Sequence, residues 1–123
     1  MTKLFGFWMI GALFAFAPMG QMGGVAQAND FISGTEARRL IAEKGAVLID
    51  VRTAEERAEK HILGSLWFPV QTISDDLARL GDFNRPTIVY CRSGMRAAKA
   101  KQILEKAGFK EVYNLGSVEN WDT

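Results

Sequence analysis

The chain has 123 residues, with 15 Lys+Arg against 14 Asp+Glu and a net charge of +1. That length allows one domain of ordinary size, and the charge balance excludes both a nucleic-acid binder built on a large positive excess and an acidic disordered chain. A single cysteine and a single histidine exclude an intramolecular disulfide framework, a multi-cysteine zinc site and a histidine-rich metal site.

Residues 1–28 read as a secretory signal peptide. They hold 18 hydrophobic residues and one charged side chain, Lys3. Leu4–Ala17 is an apolar stretch of 14 residues, shorter than the roughly 20 that a membrane span needs. Pro18, Gly20, Gly23 and Gly24 break it, and Ala26-Gln27-Ala28 is a small-x-small cleavage site. The expectation is an exported chain cut after Ala28, periplasmic in a bacterium, with a mature domain over 29–123 and no stable membrane span after cleavage. One cysteine in an exported chain points to an intermolecular partner or a free reactive thiol.

Beyond Ala28 the chain alternates helices with apolar strands. Ser33-Gly34-Thr35-Glu36 has the spacing of a capping box and opens a helix that Gly45 stops. Ala46-Val47-Leu48-Ile49 is a continuous apolar run ending at Asp50, as expected of a strand buried on both faces. Thr53-Ala54-Glu55-Glu56 repeats the capping spacing and opens a short polar helix. Ser65–Phe68 is a short strand closed by Pro69. Ser74 is placed to cap a helix carrying Leu77 and Leu80, which Gly81 stops. Ile88-Val89-Tyr90 is a further buried strand, and Ala97–Ala107 a helix ended by Gly108. Glu111-Val112-Tyr113 is a last short strand, after which Gly116 turns the chain towards Trp121. This alternation predicts an α/β domain with a parallel sheet flanked by helices on both faces. Ligands then bind beyond the carboxyl ends of the strands, where Asp50-Val51-Arg52 and Cys91 emerge.

The chemistry concentrates at Cys91-Arg92-Ser93-Gly94-Met95-Arg96, which leads from a strand through a short loop into a helix. Unpaired N–H groups and the dipole at the helix start face the thiol, Gly94 permits a loop shape other residues resist, and Arg92 and Arg96 add permanent positive charge. All three favour a thiolate nucleophile in a cradle for a negative group. Phosphatases use the related pattern Cys-x5-Arg. Here four residues separate Cys91 from Arg96, and the smaller loop suits a persulfide sulfur better than a tetrahedral phosphate.

The ordered set Leu48-Ile49-Asp50-Val51-Arg52, Glu56, His61-Ile62-Leu63-Gly64-Ser65, Pro69, Ile88–Arg96 and Leu104-x-x-Ala107-Gly108-Phe109 resembles a rhodanese homology domain. With its export signal the chain is similar to the periplasmic, phage-shock-type rhodaneses. The resemblance implies a rhodanese-like fold over 29–123 and a thiosulfate sulfurtransferase that moves sulfane sulfur through a Cys91 persulfide. Backbone N–H groups of the loop Arg92, Ser93, Gly94, Met95 and Arg96 would bind the sulfur, and the two arginines would orient the dianionic donor. The acceptor would be cyanide, a thiol or a protein; no metal or organic cofactor and no nucleic acid is implied. The alternative is a non-catalytic or partner-dependent sulfur carrier. Asp50 and Arg52 are expected to pair with each other or to brace the loop, a structural role in either case, and His61 to belong to a turn. The chain departs from the family's usual pattern at Arg57, Lys60, Trp67, Ala97 and Gly116-Ser117, mostly outside the cradle.

Overall fold

The computed structural model describes residues 30–123; the signal-peptide expectation falls on residues outside that range. Four parallel strands form one sheet in the order β2-β1-β3-β4: β1 is Val47–Asp50, β2 Leu66–Trp67, β3 Thr87–Cys91 and β4 Val112–Ser117. Asp50 pairs with Trp67 on one side and Tyr90 on the other, and Cys91 pairs with Ser117. The carboxyl ends of all four strands therefore share one edge.

β3 is buried along its whole length, which explains its unbroken apolar character. Alternate side chains feed two cores. Val89 and Cys91 face Ala97, Ala100 and Leu104 of α4 (Met95–Ala107), while Ile88 and Tyr90 face Ala37 and Leu40 of α1 (Gly34–Lys44). Truncating one of these anchors, such as the fully buried Leu104, would cost about 2–5 kcal/mol. Helices thus cover both faces, as the alternation predicts.

Both capping spacings act as caps. The Ser33 side chain accepts from the Glu36 N–H, and Thr53 and Glu56 form a reciprocal box at the start of α2 (Ala54–Glu59). Three local details differ from the sequence reading. Ser74 caps nothing: it lies in a 3-10 turn, Ile73–Asp75, whose i→i+3 bonds delay the next helix, α3, to Leu77–Leu80. α4 begins at Met95, two residues earlier than expected, because Gly94 already supplies the turn into it. β4 does not end at Tyr113. It runs to Ser117, with Gly116 at φ 87° inside a bulge where Val89 opposes Asn114 and Tyr90 opposes Gly116. The glycine bends the strand instead of terminating it.

Candidate active site

Cys91 is the last residue of β3, and its sulfur turns towards α4. Gly94, at φ 102°, brings the chain round so that its N–H donates to Cys91 Sγ at 2.9 Å; the Ala97 N–H, in the first turn of α4, lies 3.4 Å from the same atom. Gly94 offers no side chain to cap α4, so the sulfur takes the place of the capping oxygen found at other helix starts. A β-carbon at position 94 would overlap the Phe31 ring, a second reason for glycine there. Cys91 is buried. Strand alternation places it on the face that α4 covers, beneath its own loop.

The loop side chains divide by environment. Arg92 (76% exposed) and Met95 (78% exposed) reach into solvent, and Ser93 is exposed. Arg96 is held: its two terminal nitrogens lie 2.7 and 2.9 Å from the carboxylate oxygens of Glu56, a bidentate pair. Arg92 approaches the same carboxylate at 3.8 Å. The hydrogen bond from Arg96 holds the Glu56 carboxyl well below the usual carboxylate range, against the opposing effect of burial, and Glu56 in turn raises Arg96. Two cations and one anion therefore border the loop, with Arg92 the outermost cation. Beside it opens a polar cleft of about 310 Å³, lined by Glu56, Arg92, Ser117 and Glu119 among others.

The neighbouring strand end is a closed network. Arg52 grips Asp50 through Nε and one terminal nitrogen, both at 2.9 Å, and both side chains are buried. The Arg57 guanidinium and the Tyr90 hydroxyl also donate to Asp50 Oδ2, at 3.2 and 3.0 Å. Burial alone would push the Asp50 carboxyl up; the bonds from the Arg52 side chain and backbone outweigh it and leave the group below its ordinary value. Burial raises the Tyr90 phenol. The hydroxyl meets the Ile62 N–H at 3.1 Å and Ser65 Oγ at 3.1 Å, so the residue before Cys91 is fixed to the segment after α2. Asp50 and Arg52 are thus paired with each other. His61 is exposed, with Nδ1 3.1 Å from the Arg57 carbonyl.

The Rhodanese-like domain family matches residues 33–123. The chain belongs to that family. Among curated relatives, a thiosulfate sulfurtransferase GlpE of Coxiella burnetii is 34% identical over 91 residues, covering 73% of this chain and 84% of the relative. The thiosulfate sulfurtransferase PspE of Escherichia coli K12 is 32% identical over 73 residues, covering 58% of this chain and 70% of that protein. The solved structure of the human single-domain sulfurtransferase TSTD1 superposes with a TM-score of 0.64 at 26% identity, covering 74% of this chain and 93% of that one. The parallel sheet and flanking helices of this rhodanese-like domain agree with that likeness.

Sequence reasoning did not foresee three contacts of the rhodanese-like site. Glu56 stood out as a cap residue and as part of the family pattern, without a partner; it also binds Arg96, 40 positions away. Arg57 stood out as a departure from the pattern; it links Asp50 to Ser65, whose Oγ lies 3.0 Å from its guanidinium. Asn114, buried in β4, donates through Nδ2 to the Gly94 carbonyl at 3.1 Å. The family pattern marked the first two residues without their partners, and nothing in the sequence marked Asn114.

Proposed function

We propose that this chain is a thiosulfate sulfurtransferase that carries sulfur on Cys91. The observation that carries the reading is the cysteine sulfur at a strand end, met by the Gly94 and Ala97 N–H groups and bordered by Arg92 and Arg96. Fixed N–H dipoles aimed at a sulfur stabilise the negative charge of the persulfide formed there. The names of the GlpE and PspE relatives support the choice of donor.

In the first half-reaction the Cys91 thiolate forms a bond to the outer sulfur of thiosulfate. The sulfur–sulfur bond of the donor breaks, and sulfite leaves with its electron pair. Arg92, outermost and largely in solvent, draws in the dianion; the backbone N–H groups hold the sulfur. In the second half-reaction a thiophilic acceptor takes the outer sulfur and the thiolate returns, a ping-pong cycle. With cyanide the product is thiocyanate. Asp50, Arg52 and Tyr90 keep the strand ends in place and touch no reacting atom. The placement of Lys3, the apolar stretch Leu4–Ala17 and the Ala26-Gln27-Ala28 site supports export, to the periplasm in a bacterium.

Intact mass measured before and after thiosulfate treatment tests the reading. A gain of one sulfur atom, discharged by cyanide and absent from Cys91→Ser, is the expected result. A folded, reduced protein that gains nothing would overturn thiosulfate as donor and turn attention to partner-dependent sulfur transfer.

A further inference from the structure

Gly94 is fixed on both sides. Its N–H faces the Cys91 sulfur, and its carbonyl accepts from Asn114 Nδ2 at 3.1 Å and from the Ala98 N–H at 2.9 Å. Asn114 is itself buried on β4, where its Oδ1 accepts from the Gly116 N–H at 2.7 Å. One amide therefore ties the cysteine loop to the β4 bulge and uses both of its functional ends to do so. The backbone of Asn114 adds a third tie, accepting from the Ile32 N–H at 2.9 Å. Phe31, next in the chain, lays its ring against the hydrogen faces of both Gly94 and Gly116, where a β-carbon at either position would collide with it.

A glycine at φ 102° is the most mobile kind of residue when unrestrained. Catalysis by fixed dipoles requires the donor to be aimed before the charge develops. The donor nearest the sulfur belongs to this glycine, so something must hold it. We propose that Asn114 is a positioning residue for sulfur transfer, clamping Gly94 so that its N–H stays directed at the Cys91 sulfur. The β4 bulge gains a purpose from this: it is the shift in register that accompanies the Asn114–Gly116 bond opposite the loop. The kinetic consequence rests on the reading of Cys91 as sulfur carrier; the structural consequence does not.

Asn114→Ala removes both ends of the clamp. Asn114→Asp keeps an acceptor for Gly116 but, ionised, sets an oxygen against the Gly94 carbonyl, and it serves should the alanine variant fail to fold. Ile88→Val, in the opposite core, controls for general loss of stability. Residue-resolved amide exchange is the first readout. The Gly94 N–H should exchange at least about tenfold faster in the Asn114 variants than in Ile88→Val, as expected of a loop released locally. Single-turnover sulfite release per folded domain is the second. It should fall about tenfold at saturating thiosulfate, less than removal of a whole donor, with KM for thiosulfate within about twofold because the arginines are untouched. Gly94 exchange no faster than in the control would overturn the clamp. Faster exchange with undiminished sulfite release would overturn its role in catalysis. A wild-type protein that takes no sulfur from thiosulfate would instead overturn the proposed function, leaving the clamp to be decided by exchange alone.

Discussion

β1 and β3 lie side by side with Asp50 opposite Tyr90, and each delivers a chemically forceful residue to the same edge of the sheet. The chain finishes the two ends in opposite ways. At Asp50 every strong charge is met by another side chain: Arg52, Arg57 and the Tyr90 hydroxyl converge on one carboxylate. At Cys91 the sulfur is met by backbone N–H groups, and Arg92 and Arg96 stand in the loop and the helix that follow it. A buried ion pair consumes its own electrostatic force in holding the structure. A set of backbone dipoles around a single sulfur leaves that force available to a reaction. Charge at a strand end is thus architecture in one case and chemistry in the other, and the type of partner decides which.

The largest break in this contrast is at the sulfur. Cys91→Ser should lower sulfite release by at least about a thousandfold while keeping an oxygen to cap α4, so its melting temperature should stay close to wild type. Loss of folding in that variant would mean the sulfur is architecture as well. The opposite break is at Asp50. Asp50→Ala leaves Arg52 buried without its carboxylate and should cost about 3–5 kcal/mol in urea unfolding. A cost below about 1 kcal/mol would show that water or Arg57 rearrangement replaces the carboxylate.

Acid sharpens the comparison. The carboxyls of Asp50 and Glu56 are both held below their ordinary values in the folded chain, so near those ordinary values the unfolded chain binds more protons. Their stabilisation is complete above about pH 5 and is lost as pH falls through the depressed folded values. Melting temperatures should therefore be level above that point on account of these groups and decline below it, and a destabilised Asp50→Ala should show a shallower decline. A smaller effect is expected of Glu56→Gln. Glutamine preserves the cap at Thr53 but removes the anion that offsets Arg92 and Arg96. KM for thiosulfate should fall about threefold at low salt, an advantage that fades as ionic strength rises. Smallest of all, Met95→Ala should change turnover by less than about twofold, since the Met95 side chain projects into solvent and alanine keeps the backbone N–H.

The parts of the molecule legible in the sequence are those set by neighbours in the chain. The caps at Ser33 and Thr53, the buried runs of β1 and β3 and the glycine loop after Cys91 follow from spacing over a few residues. The alternation of strands and helices then places Asp50 and Cys91 on one edge. Ser74 misled because the apolar Ile73 beside it is drawn into the core, making a tight turn where a cap was expected. The extent of β4 was hidden because Gly116 reads locally as a stop, while pairing with β3 turns it into a bulge. The Glu56–Arg96 pair and the Asn114–Gly94 bond span 40 and 20 positions, distances over which no periodicity carries information. Arg57 shows the converse: a residue that departs from the family's habit is explained once Asp50 and Ser65 are seen beside it.

The position of β3 between β1 and β4 also sets an order in time. The neighbours of Cys91 come from both directions along the chain, and the residue that fastens its loop, Asn114, comes from the strand formed by the latest-made stretch of the sheet. Until that stretch docks, no side chain of β4 holds the Gly94 carbonyl. The setting that the proposed sulfur chemistry needs is therefore complete only once the last-made strand has joined the sheet.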